Sequence, residues 1–435
     1  MRRSPAPAEL FTRNRARLRE KLPQGAMAIV HSNDVIPSNA DGTLGYKQNA
    51  DFFYLTGIDQ EESVLVMFPD APREENRELL FVRETNELVA LWEGRKHSKE
   101  DATRLSGIKN VRWTKDFDGL LRILFCQAED IFLSLNEHSR AENRVQTRSD
   151  RFALWCKEHY PLHTYRRLAP LITRLRMIKE PEEIEMLRKA CEITASGFKR
   201  LLGFVRPGVG EWEIEAELVH EFTRLGSKGF AYHPIVGSGG NACVLHYIEN
   251  GDRCLDGQMV LLDVAAEYYN WNADLTRTIP VNGKFTPRQR AVYDAVLRVF
   301  RHCESILRPG IRISEYQKQV LEFMEKELIG LGLFTEEEAR AQSKDKPLVK
   351  KYFPHGTSHH LGLDVHDVNI DEEPVAVGMV FTIEPGIYIL EENLGVRLEN
   401  DYLIGETENI NLLAGAPIEA DEIETLMAAA PNSRA

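Results

Sequence analysis

The feature that most constrains how this chain can fold is a set of four acidic residues inside or beside apolar, strand-like runs. A carboxylate in such a run faces the protein core, and burying its charge costs several kcal/mol unless a positive charge neutralises it. Four carboxylates that face one another would also repel one another and take up protons. Two divalent cations would supply four positive charges and remove both costs. The four residues are Asp263, Asp274, Glu384 and Glu399.

The acids come in two pairs, and each pair brackets a turn-like segment. The midpoint of the first pair is Tyr268 and Tyr269, next to two asparagines, and the midpoint of the second pair lies within residues 391–395. Residues directly opposed on antiparallel strands share a face of the sheet. We therefore expect two β-hairpins, each of which points both of its carboxylates to the same side.

A glycine-containing segment between the two pairs carries four histidines, His355, His359, His360 and His366, and ends with Asp367. Imidazoles gathered in one loop are typical of metal binding or proton transfer. His359 together with the four acids offers oxygen-rich ligation with one nitrogen, which suits Mn²⁺, with Co²⁺ or Zn²⁺ able to compete. The sequence therefore predicts a site for two divalent metal ions with the ligands Asp263, Asp274, His359, Glu384 and Glu399.

Each of these residues has a plainer interpretation when it is taken alone. An aspartate on a strand is more often a surface or capping residue than a metal ligand. Glu384 precedes Pro385 and Gly386 and could simply end a strand before a turn, and His246 could be a hydrogen-bonded core histidine. Only the ordered set distinguishes a metal site from these alternatives.

Length, charge and cysteine usage limit the class of protein. A chain of 435 residues is too long for one compact core, so we expect two domains. The net charge of −13, with no basic block, makes nucleic acid and anionic membranes poor partners. No apolar run approaches the ~20 residues of a membrane-spanning helix. Six cysteines without a Cys-x-x-Cys pair indicate a reducing compartment and predict a cytoplasmic protein. The basic N-terminus leaves an organelle presequence open, although Glu9 and Glu20 interrupt it.

Local patterns predict how the two domains are built. An amphipathic helix at 8–22 and four strand-like runs, with helical patterns between the later runs, predict an α/β domain over residues 1–177. Pro181 then occupies the first turn of a helix that runs to Leu202, and long helices and hairpins follow, so we expect an α+β domain over 178–435. The four strand-like runs lie at 26–31, 64–68, 79–82 and 131–135.

The second half also contains a weak internal repeat. The turns 206–208 and 308–310 both read Arg-Pro-Gly, and each lies between two helices and is followed by a pair of acids on strands. A coincidental helix–turn–helix phrase is one explanation, because Pro-Gly turns are common. The matching order of elements favours a duplication.

With these motifs described, the chain resembles the proline-specific metallopeptidases of the pita-bread fold, the group that contains Xaa-Pro aminopeptidase, prolidase and methionine aminopeptidase. The segment 355–367 fits the proline-peptidase signature at every constrained position, and the five predicted ligands match the order of the family's metal ligands. Similarity covers residues 178 to about 415. The resemblance implies a pita-bread catalytic domain at 178–435 behind an N-terminal α/β domain of creatinase/prolidase type, which would serve oligomerisation and substrate access.

The front half is similar to the aminopeptidase branch of this family. The segment 48–57, Gln-Asn-Ala-Asp-Phe-Phe-Tyr-Leu-Thr-Gly, resembles the corresponding segment of bacterial and mitochondrial Xaa-Pro aminopeptidases. Methionine aminopeptidases lack this domain, and creatinase lacks the metal ligands. Prolidase has both halves and is the main competitor.

The resemblance implies a role for each metal ligand. Asp263 would bind one metal, and His359 and Glu384 would complete the shell of the other. Asp274 and Glu399 would bridge the two.

The resemblance also implies residues that contact the substrate. His246 and His366 would line the site and contact the substrate backbone, and His355 would hold the proline end. Tyr388 and Arg397 would border the proline pocket. Trp92 looks like a front-domain aromatic residue that reaches a neighbouring subunit's site, although an ordinary packed tryptophan is the alternative. We expect a homodimer or a homotetramer.

These residues predict an exopeptidase that removes the N-terminal residue from peptides with proline in the second position. A bond before proline is a tertiary amide without an N–H, so its cleavage needs a dedicated site. A hydroxide that bridges the metals would attack the carbonyl carbon. His246 or His366 would stabilise the oxyanion, and Glu384 would pass a proton to the leaving nitrogen.

Two alternatives remain at this point. A prolidase would use the same chemistry on dipeptides alone, and a non-catalytic pita-bread module would bind protein partners instead. Such modules usually lose metal ligands, and all five are present here.

Overall fold

The computed structural model describes residues 5–138, 141, 144–343 and 345–429. The chain forms two compact units that divide between Arg176 and Met177. Among the described residues, none of the helices combines the length and the apolar character needed to cross a bilayer.

The first unit is built on one mixed six-stranded sheet. Its strands are β1 (Ala26–His31), β2 (Val64–Met67), β3 (Glu78–Val82), β4 (Val111–Trp113), β5 (Asp130–Leu133) and β6 (Thr164–Arg167). They lie in the order β4-β3-β2-β1-β5-β6, with β1 antiparallel to β2 and parallel to β5. The helices are α1 (Ala8–Arg19), α2 (Ala50–Thr56), α3 (Glu87–Glu93), α4 (Lys99–Ser106), α5 (Phe117–Phe125), α6 (Arg148–His159) and α7 (Ala169–Met177), the last of which crosses the division.

Four of these six strands are predicted by the sequence. The predicted runs correspond to β1, β2, β3 and β5, whose inward residues form an apolar core with α5 and α6. The other two strands, β4 and β6, form the edges of the sheet and were not predicted. An edge strand has a neighbour on one side only and carries a weaker apolar pattern. β4 has three residues, and most of β6 (Thr-Tyr-Arg-Arg) is exposed.

The second unit combines long helices with small antiparallel sheets. Its helices are α8 (Pro181–Leu202), α9 (Glu211–Arg224), α10 (Pro287–Ile306), α11 (Ile313–Gly330), α12 (Glu336–Ala341), α13 (Val349–Tyr352) and α14 (Ala420–Ala429). Its strands are β7 (Ile235–Ser238), β8 (Met259–Asp263), β9 (Glu267–Tyr268), β10 (Trp271–Asn272), β11 (Thr276–Pro280), β12 (Val380–Ile383), β13 (Gly386–Ile389), β14 (Leu394–Arg397), β15 (Asn400–Leu403) and β16 (Ile410–Asn411). They form the sheets β11-β8-β7 and β12-β15-β16 and the hairpins β9-β10 and β13-β14.

The two Arg-Pro-Gly turns have the same geometry. Gly208 and Gly310 have φ values of 91° and 92°, a region that favours glycine. Each glycine N–H donates at 2.8 Å to a carbonyl, that of Cys254 or of Val375, which lies shortly before β8 or β12. The N–H groups of Cys254 and Val375 donate in return, at 2.9 and 2.8 Å, to the residue after each glycine. This matching geometry supports the predicted duplication.

A buried arginine ties β11 to the C-terminal part of this unit. Arg277 is fully buried, and burial lowers its pKa to about 10. The N–H groups of its guanidinium donate to four backbone carbonyls and one side-chain amide oxygen, and not to a carboxylate. The acceptors, at 2.7–3.1 Å, are the carbonyls of Thr276, Glu399, Ala416 and Pro417 and the side-chain oxygen of Asn400.

We expect Arg277→Met to destabilise the protein by about 3 kcal/mol or more, because it leaves several buried carbonyls without donors. Urea unfolding followed by far-UV circular dichroism measures the change. Arg298→Met is the control, since Arg298 forms a half-exposed ion pair with Glu327, worth at most about 1 kcal/mol. An Arg277→Met midpoint equal to that of the control would contradict this role.

Candidate metal centre

The first acid pair lies on a hairpin whose register differs from the predicted one. Asp263 is paired with Thr276, not with Asp274, and the turn falls at Tyr269 and Asn270, which have φ values of 52° and 73°. The prediction of direct opposition is therefore wrong. Moving the turn by one residue shifts the pairing by two, and side chains alternate with a period of two. Both carboxylates consequently remain on the same face, as diagonal neighbours.

The second acid pair follows the prediction. The ladders β12–β15 and β13–β14 share one register, and this register places Glu384 directly across from Glu399. The chain reverses through residues 390–392 and Asn393, which has a φ of 51°. The predicted hairpin with its turn within 391–395 is confirmed to within one residue.

The histidine segment runs alongside β12. The N–H of Thr382 donates to the carbonyl of His359 at 3.0 Å, and the N–H of Glu384 donates to that of Thr357 at 2.8 Å. These backbone hydrogen bonds fix the position of His359 along β12. The imidazole of His359 consequently lies beside the acids of both hairpins.

Three of the five predicted ligands form a compact group. Ligand atoms of Asp274, His359 and Glu399 all lie within 4.8 Å of one another. Glu384 adjoins them, since its Oε1 lies 3.7 Å from Nε2 of His359. Nε2 of His359 lies 3.5 Å from Oδ2 of Asp274. These four side chains could hold a cation together.

Asp263 joins the group through a tyrosine that the sequence analysis missed. The hydroxyl of Tyr232 lies 2.5 Å from Oδ1 of Asp263 and 2.7 Å from Oδ1 of Asp274. One hydroxyl hydrogen can serve one of these oxygens at a time. Tyr232 lies before β7, in a segment without a motif, so no sequence signal pointed to it.

Two further residues missed by the sequence analysis hold the ligands. The hydroxyl of Thr276 donates to Oε2 of Glu399 at 2.6 Å. The buried carboxylate of Asp401 accepts the backbone N–H of Asp274 at 3.0 Å. Thr276 and Asp401 each lie two residues after a predicted ligand and therefore on the same face of a strand, a signal that could have identified them.

The electrostatics of the group fit divalent cations. Burial raises the pKa of Asp263. The nearby carboxylate of Asp274 raises it further, and the positive charge of Arg397 partly opposes both effects. Burial raises the pKa of Glu384 to about 7, and burial with the neighbouring carboxylates raises that of Glu399 well above its usual range. Burial lowers the pKa of His359, but its contacts with Asp274 and Glu384 outweigh this and raise it to about 9. Protons on these groups relieve the repulsion, and divalent cations could replace them.

A second set of predicted residues forms a chain of contacts at the edge of this group. Nε2 of His355 lies 2.8 Å from the hydroxyl of Tyr388, to which Arg397 donates, also at 2.8 Å. Arg397 donates in addition to Oδ2 of Asp263. Nδ1 of His355 lies 3.6 Å from Glu384. Burial lowers the pKa of His355 to about 3, so the imidazole is neutral.

The remaining predicted residues are more exposed. The ring of His366 stacks on that of His359 with their centres 3.9 Å apart. His246 is exposed, and a charge on it is near enough to lower the pKa of His355. Trp92 lies on α3 of the first unit and is 80% exposed.

Comparison with known proteins identifies both halves of the chain. Residues 185–406 match the model of metallopeptidase family M24, and residues 11–132 match that of the aminopeptidase P N-terminal domain. The chain is 35% identical to Xaa-Pro aminopeptidase of Escherichia coli, over 97% of this chain and 98% of the relative. It is 31% identical to Xaa-Pro aminopeptidase 3 of Homo sapiens, over 92% and 80% of the two chains.

Solved structures agree with this assignment. Zinc-substituted E. coli aminopeptidase P in complex with product superimposes with a TM-score of 0.87 at 35% identity, covering 98% of this chain and 99% of that one. Proline aminopeptidase P II from Yersinia pestis gives a TM-score of 0.86 at 35% identity, covering 97% and 99%. The predicted fold class, a pita-bread domain behind an N-terminal α/β domain, is confirmed. The chain belongs to metallopeptidase family M24, in its Xaa-Pro aminopeptidase group.

Proposed function

We propose that this chain is a dinuclear, metal-dependent aminopeptidase that removes the N-terminal residue from peptides with proline in the second position. The observation that carries the proposal is the convergence of Asp274, His359 and Glu399, with Glu384 and Asp263 adjoining them. Relatives named Xaa-Pro aminopeptidase, which span nearly the whole chain, support the substrate class.

The five residues would hold two divalent cations. Asp263 would help to hold one of them, His359 and Glu384 would help to hold the other, and Asp274 and Glu399 would contact both. Mn²⁺ is the metal that we propose, because the donors are four carboxylates and one imidazole, and Co²⁺ or Zn²⁺ can compete for such a set. Bound divalent cations supply a nucleophile at neutral pH by lowering the pKa of water.

Proton transfer falls to Glu384. Its Oε1 lies 3.7 Å from Nε2 of His359, at the edge of the ligand group, where it could accept a proton and pass it on. Proline nitrogen must gain a proton before it can leave, and Glu384 is the acid at the edge of the ligand group. The neutral imidazole of His355 lies beside this carboxylate, with its Nδ1 3.6 Å from Glu384.

The residues that would contact the substrate lie at the edge of the ligand group or are exposed. His355, Tyr388 and Arg397 form a connected set that would border the proline ring. His246 and His366 would contact the substrate backbone, and one of them would donate to the substrate carbonyl as negative charge develops on its oxygen. Trp92, which is 80% exposed, would contact substrate in a neighbouring subunit's site.

The domain over residues 1–177 would serve oligomerisation and substrate access, in a homodimer or homotetramer in the cytoplasm. Its helix α3 exposes Leu88, Leu91 and Trp92 by 63%, 78% and 80%, an apolar surface that a second subunit would cover.

Metal-stripped protein, with Mn²⁺, Co²⁺ or Zn²⁺ restored separately, tests the function on peptides of two lengths. We expect release of the first residue from Xaa-Pro-Yaa-Yaa. Cleavage of the Xaa-Pro dipeptide alone would identify a prolidase. No cleavage with any of the metals would indicate a binding module.

We expect Asp274→Asn to weaken metal binding by more than about 100-fold, the upper range for loss of an outer-shell partner, and to abolish turnover. The bridging role makes the residue necessary to both cations. Metal content by elemental analysis and peptide cleavage measure the two effects. Asp294→Asn is the control, since Asp294 is partly exposed on α10 and pairs with Arg290; normal metal content and turnover in Asp274→Asn would contradict the assignment.

Metal affinity should rise between about pH 6 and pH 8. A cation competes with the protons on Glu384, whose pKa is about 7, and on His359, whose pKa is about 9. Binding therefore releases protons and is weaker at the lower pH. Isothermal titration calorimetry in buffers of different ionisation enthalpy counts the protons released; equal affinity at both pH values without proton release would contradict the proposed ligands.

A further inference from the structure

We propose that Glu211 is a positioning residue for His246, which it holds at the edge of the metal centre by organising the segment 238–252. This inference rests on the proposed function, since it concerns the substrate contact assigned to His246. Glu211 is the first residue of α9 and is fully buried. Neither the ligand set nor the substrate contacts described above include it.

The carboxylate of Glu211 accepts five hydrogen bonds. Oε1 accepts the backbone N–H and the hydroxyl of Ser238 at 2.7 and 2.8 Å and the side chain of Asn241 at 3.3 Å. Oε2 accepts the hydroxyl of Tyr247 and the backbone N–H of Asp252, both at 2.8 Å. A buried carboxylate is stable when donors surround it in this way and when it lies at the positive end of a helix.

These donors span the whole segment that carries His246. Ser238 ends β7, Asp252 lies before β8, and Asn241 and Tyr247 lie between them. The backbone N–H of Glu211 also donates to the carbonyl of Asp252 at 2.9 Å. The Glu211 side chain therefore connects the start, the middle and the end of the segment between β7 and β8.

The hydrogen bond from Tyr247 to Glu211 restrains the residue that directly follows His246. Leu245 and Tyr247 pack against a core cluster that includes Tyr388, one of the residues at the metal centre. His246, between these two inward side chains, is exposed. The hydroxyl of Tyr247 ends on Glu211, so the carboxylate fixes the ring that sets the direction of the neighbouring imidazole.

Only a carboxylate satisfies this set of contacts. All five partners donate, and a glutamine would turn a donating NH₂ group towards some of them. Glu211→Gln preserves size but leaves buried donors facing one another, so the segment would shift. Displacement of a catalytic contact by about 1 Å can cost about 100-fold in rate.

A double-mutant cycle tests the inference on the metal-loaded enzyme with an Xaa-Pro-Yaa-Yaa peptide. We expect Glu211→Gln to lower kcat/KM by about 10- to 100-fold and His246→Ala by about 100-fold. The double variant should be no slower than His246→Ala by more than about 2-fold, because the effect of Glu211 passes through His246. Metal content should remain normal in all three variants.

Glu217→Gln is the matched control, since Glu217 lies on α9 and pairs with the half-exposed Arg200; it should retain wild-type kcat/KM. Tyr247→Phe is a milder second variant that removes one donor to Glu211 and the acceptor of the Gly251 N–H. It should lower kcat/KM by about 10-fold and should also be non-additive with His246→Ala.

Three results would overturn the inference alone in an active wild-type enzyme. These are multiplicative losses in the cycle, wild-type rates in Glu211→Gln, and, if Glu211→Gln does not fold, wild-type rates in Tyr247→Phe. A wild-type chain that cleaves no Xaa-Pro-Yaa-Yaa peptide would overturn the proposed function and this inference with it.

Discussion

Repulsion among four carboxylates, two of them buried and two partly buried, is the constraint on which the second unit depends. Asp263, Asp274, Glu384 and Glu399 lie on two hairpins that face one shared volume. Burial and mutual repulsion raise the pKa values of Asp263, Glu384 and Glu399. Divalent cations offer compensation, and bound cations at this place can activate water. The same electrostatic problem therefore explains both the ligand set and the chemistry that we propose.

The surrounding structure keeps these charges from moving apart. Arg277 ties the backbone beside Glu399 to the C-terminal segment, Asp401 holds the backbone of Asp274, and backbone bonds to β12 fix His359. Similar turns at Gly208 and Gly310 bind the chain just before β8 and β12. Asp263 ends β8, and Glu384 follows β12. The metal centre thus lies where two similar halves of the unit each contribute a hairpin.

Much of this arrangement could be predicted from the sequence, because the decisive signals are local. An acid in an apolar strand, an asparagine-rich turn and a histidine segment each depend on neighbouring residues alone. Register is harder, since a turn displaced by one residue changes every pair, and the prediction for Asp263 failed for this reason. The prediction for Glu384 succeeded because the turn was placed correctly. Tyr232 and Glu211 could not be predicted, because their partners are distant in sequence and their roles arise only from packing.

Anomalous diffraction at the manganese edge, from crystals of the full chain grown with Mn²⁺, tests the central claim most directly. The account predicts two manganese peaks per chain, enclosed by Asp263, Asp274, His359, Glu384 and Glu399. The absence of peaks among these side chains, or peaks bound by other residues, would contradict it.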